Sequence, residues 1–423
     1  MDAKSITCKN ILMISLQVGN GNSRGHMNPL ISVAQQLVAW GHRVHWLALP
    51  HNMPVDVVKQ LTSDGIEVID SPPLSSERVK KPAELAKLAL DTEKNWQAYQ
   101  SFLLDPIEEQ LDETMKKIKA IQPDVIALDT IVYTGKIAAH LLHVPYVGIC
   151  AGLKLLGGPD LHPDYMGNLT PLLPLRAMIF KKYRMNAHFR LLEAVSPYAN
   201  VVFTTKDFVM HQSIPNHTFL VGPSMPLQNR GGEGKITLPQ IKHRPLIYMA
   251  FGSVLSKEPL ADLINPLLEV ASMLDMDFLI VSEYFSANPI DLSPNVVIEP
   301  MVPQLEVLNK ADVFITHGGA NSIMEGLSYG VPMIVVPLSS DQPLQGRLVE
   351  EAHVGITIQR KDFTSDSIQQ AIRSLLDPQS PYHHHIQSIQ QAYARQNGRV
   401  NAAHIILEEG SKHVRTSDHR SNW

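Results

Sequence analysis

Residues 311–342 read ADVFITHGGANSIMEGLSYGVPMIVVPLSSDQ. Val313–Thr316 is a short apolar run of the kind that forms a buried parallel strand. His317-Gly318-Gly319-Ala320 is a tight turn, a helix begins near Asn321, and Met333–Val336 is the next strand. Strand, helix and strand in so short a span require a parallel sheet with a crossover helix.

The same alternation extends outward. Leu246–Phe251, Phe278–Val281 and Val296–Glu299 read as strands, with helices fitting between most of them. In the first half, Ile11–Leu16 (ILMISL), Arg43–Leu49, Asp124–Leu128 and Val144–Ile149 read likewise. A Gly/Asn-rich loop, VGNGNSRGH, follows the first strand and leads to a helix. Leu30, Val33, Leu37 and Val38 fall at helical spacing, Pro29 sits near the first turn and Gly41 closes it. A stretch rich in Gly, Pro and charge separates the halves. The chain is therefore expected to be α/β, with two Rossmann-like, doubly wound parallel-sheet domains. The N-terminal domain spans 1–225, a linker 226–244, the C-terminal domain 245–410 and a polar tail 411–423. Ligands of such sheets bind beyond the carboxyl ends of the strands, so function is expected in loops facing a central cleft.

Composition narrows the class. The chain has 423 residues, 44% hydrophobic and 18% charged, as in ordinary folded proteins. Its formal net charge of −5 gives no field for collecting nucleic acid. Two cysteines, Cys8 and Cys150, cannot make a disulfide framework. Residues 1–10 carry no apolar signal core, and no run is long and apolar enough to span a bilayer. A cytoplasmic location is expected.

The turn at 317–320 has chemistry of its own. Glycines let a ligand approach the backbone, and a helix start offers free N–H groups with positive dipole character. This suits a diphosphate. Asn321 and Ser322 can add donors, and Glu325 lies one turn further on, where a carboxylate can accept from a ribose diol. In the first half, Gly25-His26-Met27-Asn28-Pro29 places a histidine just after the first strand and just before its helix. Asp129 ends the strand DVIALD at the same edge. Taken alone, His26 is also a solvated loop histidine and Asp129 also a helix cap.

Together these motifs resemble the UDP-sugar-dependent glycosyltransferases of family 1, whose fold is the two-Rossmann GT-B type. The resemblance lies in the order PQ, THGG-NS--E, GVPM---P and DQ within Met301–Gln342, in YMAFGSV at 248–254, and in GH--P at 25–29. It implies that His26 is the general base and Asp129 its orienting partner. A histidine near pKa 6.5 suits proton abstraction at neutral pH. It implies that Gln304 meets the base or ribose, that His317, Gly319, Asn321 and Ser322 meet the diphosphate, and that Ser253 approaches phosphates or acceptor. Glu325 would hold the ribose, and Asp341 and Gln342 the sugar hydroxyls. One position departs: Met301 stands where the family has an aromatic that stacks on uracil. A thioether packs on a base less well than a ring does, so weaker nucleotide binding is expected.

The expected activity is inverting transfer of a hexose, glucose first, from a UDP-sugar to a hydroxyl of a small apolar acceptor. No metal or other cofactor is expected. The acceptor itself is not legible. Candidate pocket segments are 71–106 and 151–196. The second contains LTPLLPLRAMIFKKYRMNAHFRLL, with Lys181, Lys182, Arg184 and Arg190. It reads first as an amphipathic helix covering the pocket, and second as a peripheral membrane contact. His383-His384-His385 reads as exposed rather than metal-binding, since consecutive helical residues point apart. Two rivals remain: a nucleotide-sugar epimerase on the same fold, and a non-catalytic nucleotide-sugar-binding helper. A nicotinamide oxidoreductase is disfavoured because VGNGNSRGH lacks the GxGxxG phosphate fingerprint.

Overall fold

Every residue of Ile11–Leu16 is at most 4% exposed, as befits a central strand covered on both faces. The computed structural model describes residues 7–18, 23–75, 84, 88, 91, 93–156, 169–227, 244–252 and 260–414. They form two compact units. The first comprises 1–203, 212–231 and 397–423, the second 204–211 and 232–396.

The first unit opens with β1 (Asn10–Gln17), α1 (Arg24–Ala39), β2 (Arg43–Pro50), α2 (Val55–Ser63) and β3 (Glu67–Ile69). It continues with α3 (Asn95–Leu103), α4 (Pro106–Ile121), β4 (Val125–Asp129), α5 (Tyr133–Leu141) and β5 (Tyr146–Cys150). After α6 (Leu172–Lys182) come β6 (Phe189–Arg190), β7 (Glu193–Ala194), β8 (Ala199–Val202) and β9 (Thr218–Leu220). Seven strands form one sheet in the order β3-β2-β1-β4-β5-β8-β9, all parallel. β6 and β7 make a separate antiparallel hairpin.

The second unit contains β10 (Leu246–Ala250), α7 (Ala261–Met273), β11 (Asp277–Val281), α8 (Glu283–Ala287), β12 (Val296–Glu299) and α9 (Gln304–Leu308). Then follow β13 (Val313–Thr316), α10 (Ala320–Tyr329), β14 (Met333–Val335), α11 (Gln342–Glu351), β15 (Gly355–Thr357), α12 (Ser365–Leu376) and α13 (Pro381–Ala394). Its six parallel strands run β12-β11-β10-β13-β14-β15. The two-sheet α/β architecture of the sequence reading is thus present.

Two differences from that reading have physical causes. First, helix α1 starts at Arg24, so His26 lies in its first turn rather than before it. Second, the last helix, α14 (Gly398–Val414), belongs to the first unit although the sequence reading placed residues up to 410 in the C-terminal domain. It packs on α1 and on β4 and β5. Arg399 Nε donates to Gln36 Oε1 at 3.2 Å and its Nη1 to the Met225 carbonyl at 3.0 Å, while Trp40 and His404 meet at 4.7 Å. Gly398 makes the close crossing possible, since a Cβ there would lie 2.3 Å from the Gly222 carbonyl oxygen. The linker expected at 226–244 and the tail expected at 411–423 fall largely outside the described residues.

Helix α6 lies in the segment 151–196. Leu172 and Phe180 enter the core, while Leu173 and Met178 are 49% and 62% exposed. Lys182 forms a solvent-exposed ion pair with Glu108 at 2.8 Å. Among the described residues no helix is long and apolar enough to cross a membrane. Cys8 and Cys150 are both free thiols.

Candidate active site

In the first unit the site begins with the pleat of β4. Its last residue, Asp129, is 1% exposed, and one oxygen accepts from the Ile131 amide at 3.3 Å. The other lies 2.8 Å from Nδ1 of His26, whose ring is 28% exposed. An ionised carboxylate only accepts, so a neutral His26 carries its proton on Nδ1 and turns an Nε2 lone pair outward. The sequence reading named both residues, and the structure brings them together. It did not name Thr130, Lys154 or Glu193, which lie buried behind Asp129. Nothing local marks Glu193, because β7 is only two residues long.

In the second unit the Thr316–Ala320 turn positions most of the remaining residues. Gly318 takes φ +86°, a left-handed conformation, and a Cβ there would approach Val335 to 2.7 Å. α10 starts at Ala320 with Gly319 as its cap residue and no side-chain cap, leaving the first-turn amides pointing out of the helix. Beside them, His317 is held between two glycine backbones. Cβ atoms at Gly319 and Gly252 would fall 2.7 Å and 2.9 Å from its ring. Burial lowers the His317 pKa to about 4, with Asp341 pulling the other way. His317 is therefore neutral near pH 7, with Nδ1 buried and unpartnered. It offers a hydrogen bond rather than a full positive charge.

Glu325 is 1% exposed and accepts on both oxygens, from Asn321 Nδ2 at 2.8 Å and Gln304 Nε2 at 2.6 Å. The Gln304 carbonyl in turn accepts from the Tyr248 hydroxyl at 3.1 Å. This network joins β10, α9 and α10, and Tyr248 is a member the sequence reading passed over. Asp341 and Gln342 stand at the start of α11. Gln342 Oε1 accepts from the Leu338 and Ser339 amides, both at 2.8 Å, which leaves its NH2 group to donate elsewhere. Met301 is 44% exposed just ahead of α9. Ser322 lies in the first turn of α10, and Ser253 falls outside the described residues.

An uncapped helix start at the end of one parallel sheet and a carboxylate-held histidine at the end of another define the class as a nucleotide-sugar glycosyltransferase of two Rossmann-like domains. The family model described as UDP-glucoronosyl and UDP-glucosyl transferase matches residues 204–423, more than half of the chain, and the chain belongs to that family. It is 28% identical over 371 residues to the NDP-glycosyltransferase YjiC of Bacillus subtilis (strain 168), covering 84% of this chain and 87% of that one. Among solved structures it resembles the glycotransferase of kitacinnamycin, with a TM-score of 0.70 and 22% identity over 95% of this chain and 99% of that one. It also resembles the glycosyltransferase VinC in complex with dTDP, with a TM-score of 0.63 and 18% identity over 95% and 99%. The protein is a UDP-glycosyltransferase that moves a sugar from a nucleotide sugar.

Proposed function

We propose that the enzyme transfers glucose from UDP-glucose to a hydroxyl of a small, largely apolar acceptor with inversion at the anomeric carbon, and that His26 is the base. The observation that carries this is the 2.8 Å contact of His26 Nδ1 with Asp129. It fixes the tautomer and leaves Nε2 to take a proton. Nε2 accepts the acceptor's hydroxyl proton as its oxygen bonds to the anomeric carbon. The bond to the diphosphate breaks, and the nucleoside diphosphate leaves with the electron pair. An α-linked donor gives a β-glycoside. Asp129 stabilises the imidazolium that forms.

In this reading, backbone amides at the start of α10, with Gly319, Asn321 and Ser322, hold the departing diphosphate, and His317 adds a neutral hydrogen bond. Glu325, presented by Gln304 and Asn321, meets the ribose. Asp341 and the donating amide of Gln342 meet the sugar hydroxyls, and Met301 covers the base. No metal is invoked. Because VinC holds dTDP on the same fold, the donor test includes both nucleotides.

The test is turnover of UDP-glucose and dTDP-glucose with a panel of phenolic and alkyl alcohols, the product anomer being read by NMR. His26→Ala should lower kcat by about 10²–10⁴-fold, the usual weight of a general base. UDP binding, read by thermal shift, should persist. An α-linked product, or a His26→Ala enzyme of undiminished rate, refutes the reading. Sugar conversion without an acceptor would favour an epimerase instead.

A further inference from the structure

Behind Asp129 lies a second charged pair that the mechanism above does not use. Glu193, on β7, and Lys154, in the 3-10 turn Lys154–Leu156 after β5, are 2% and 4% exposed. Glu193 Oε1 lies 3.4 Å from Lys154 Nζ, and its Oε2 takes a hydrogen bond from the Thr130 hydroxyl. Thr130 is the residue after Asp129. The Ala194 amide also donates to the Thr130 carbonyl at 2.9 Å, so the hairpin grips that residue twice. The hairpin itself is pinned. The Tyr133 hydroxyl donates to the Leu192 carbonyl at 2.7 Å, and Arg176 donates to the Leu191 carbonyl at 2.6 Å while covering the Phe189 ring at 3.8 Å.

Taking two charges out of water is expensive, and an apolar pair of similar volume often serves stability as well or better. A buried ion pair against the residue next to a base-orienting aspartate calls for another role. We propose that the Glu193–Lys154 pair is a positioning element of the catalytic base: it braces Thr130, and through it Asp129, and its carboxylate raises the proton affinity of His26. The inference rests on His26 being the base. The carboxylate is bonded on one oxygen by Thr130, the residue after Asp129, and meets Lys154 on the other.

Burial raises the Glu193 carboxyl above the usual carboxylate range, and Lys154 opposes that rise. Lys154 comes from the 3-10 turn, Asp129 from β4 and His26 from α1. The Cys150 thiol, pushed up by burial, comes from the end of β5. Tyr133, on α5, has its hydroxyl pushed up to about 12 by burial, and Arg176 of α6 faces it. Neither Cys150 nor Tyr133 titrates near pH 7. Lys136 of α5, lowered to about 7 by burial, donates to the Val195 carbonyl at 2.7 Å, two residues beyond Glu193, so the groups that set the charge near pH 7 are the Asp129 and Glu193 carboxyl groups, Lys154, Arg176, Lys136 and the His26 imidazole.

The test is the pH profile of kcat/KM for full-length wild type, Glu193→Gln, Glu193→Asp and His26→Ala. Removing one buried negative charge beside the residue that follows Asp129 should move the acidic limb down by about one pH unit in Glu193→Gln. Glu193→Asp keeps the charge and should return the limb to its wild-type position although its side chain is shorter. A bracing role without charge predicts the reverse order, since Gln is the better isostere. If Glu193→Gln does not fold, the Glu193→Gln/Lys154→Met double variant leaves no charge unpaired and should still lower the limb, by less. A limb that vanishes with His26 but stays in place in the folded Glu193 variants overturns this inference alone. A wild-type limb that survives His26→Ala overturns the base assignment, and this inference with it.

Discussion

Lowering the pH should destabilise the protein through His317, and the size of the effect follows from its setting. Burial between Gly252 and Gly319 lowers its pKa from 6.5 to about 4. The unfolded chain binds a proton there below about pH 6.5, and the folded chain resists until about pH 4. The neutral ring therefore contributes stability that is present above pH 6.5 and lost as pH falls toward 4. At 1.36 kcal/mol per pH unit the full loss is up to about 3 kcal/mol, and about 2 kcal/mol of it falls between pH 7 and pH 5. His42, His45 and His51 of the first unit are also lowered by burial and act in the same direction. The decisive quantity is thus a difference between proteins. Urea unfolding of wild type and His317→Asn at pH 7 and pH 5 should show a fall in stability smaller by about 2 kcal/mol in the variant. Parallel falls in the two proteins would refute the assignment of His317 as a neutral, partly buried imidazole.

Three further outcomes are expected. Gly319→Ala leaves a backbone that any residue adopts (φ −62°) but drives a methyl into the His317 ring. It should cost about 1–3 kcal/mol and weaken UDP binding by calorimetry, whereas Gly252→Ala, at φ +75°, should cost about 1–2 kcal/mol more. Equal stability of the two variants would contradict this. Glu325→Gln replaces two acceptor oxygens with one, stranding either Gln304 or Asn321, and should cost about 1–3 kcal/mol in chemical denaturation. Asp129→Asn lets an amide meet His26 Nδ1 and so favours the wrong tautomer. It should lower kcat by about 10²–10⁴-fold with UDP binding unchanged, and a rate within tenfold of wild type would count against the orienting role.

The sequence reading located nine strands of the two sheets within one or two residues, because each is an apolar run closed by a turn residue. It missed β3, β8, β9 and β15, which are three or four residues long, and the two-residue strands of the β6–β7 hairpin. Such segments are too short to show a period, and their strand geometry comes from the neighbour they pair with. Glu193 was lost with the hairpin. Tyr248 sat inside a quoted motif, yet its hydrogen bond to Gln304 depends on a residue 56 positions away.

By itself, then, the sequence determined the α/β class, the strand ends at Asp129 and before His317, the placing of His26 near the start of the first helix, and the glycine turn at a helix start. These are properties of windows of a dozen residues, where hydrophobic period and turn chemistry act. The tertiary structure decided that Asp129 meets His26 across 103 positions, that α14 joins the first unit, and that Glu325 is held on both oxygens. It also decided that His317 is neutral and that an ion pair is buried beside Thr130. Burial, desolvation and charge pairing arise only when distant segments pack, and no local pattern encodes which carboxylate will end up beside which ring.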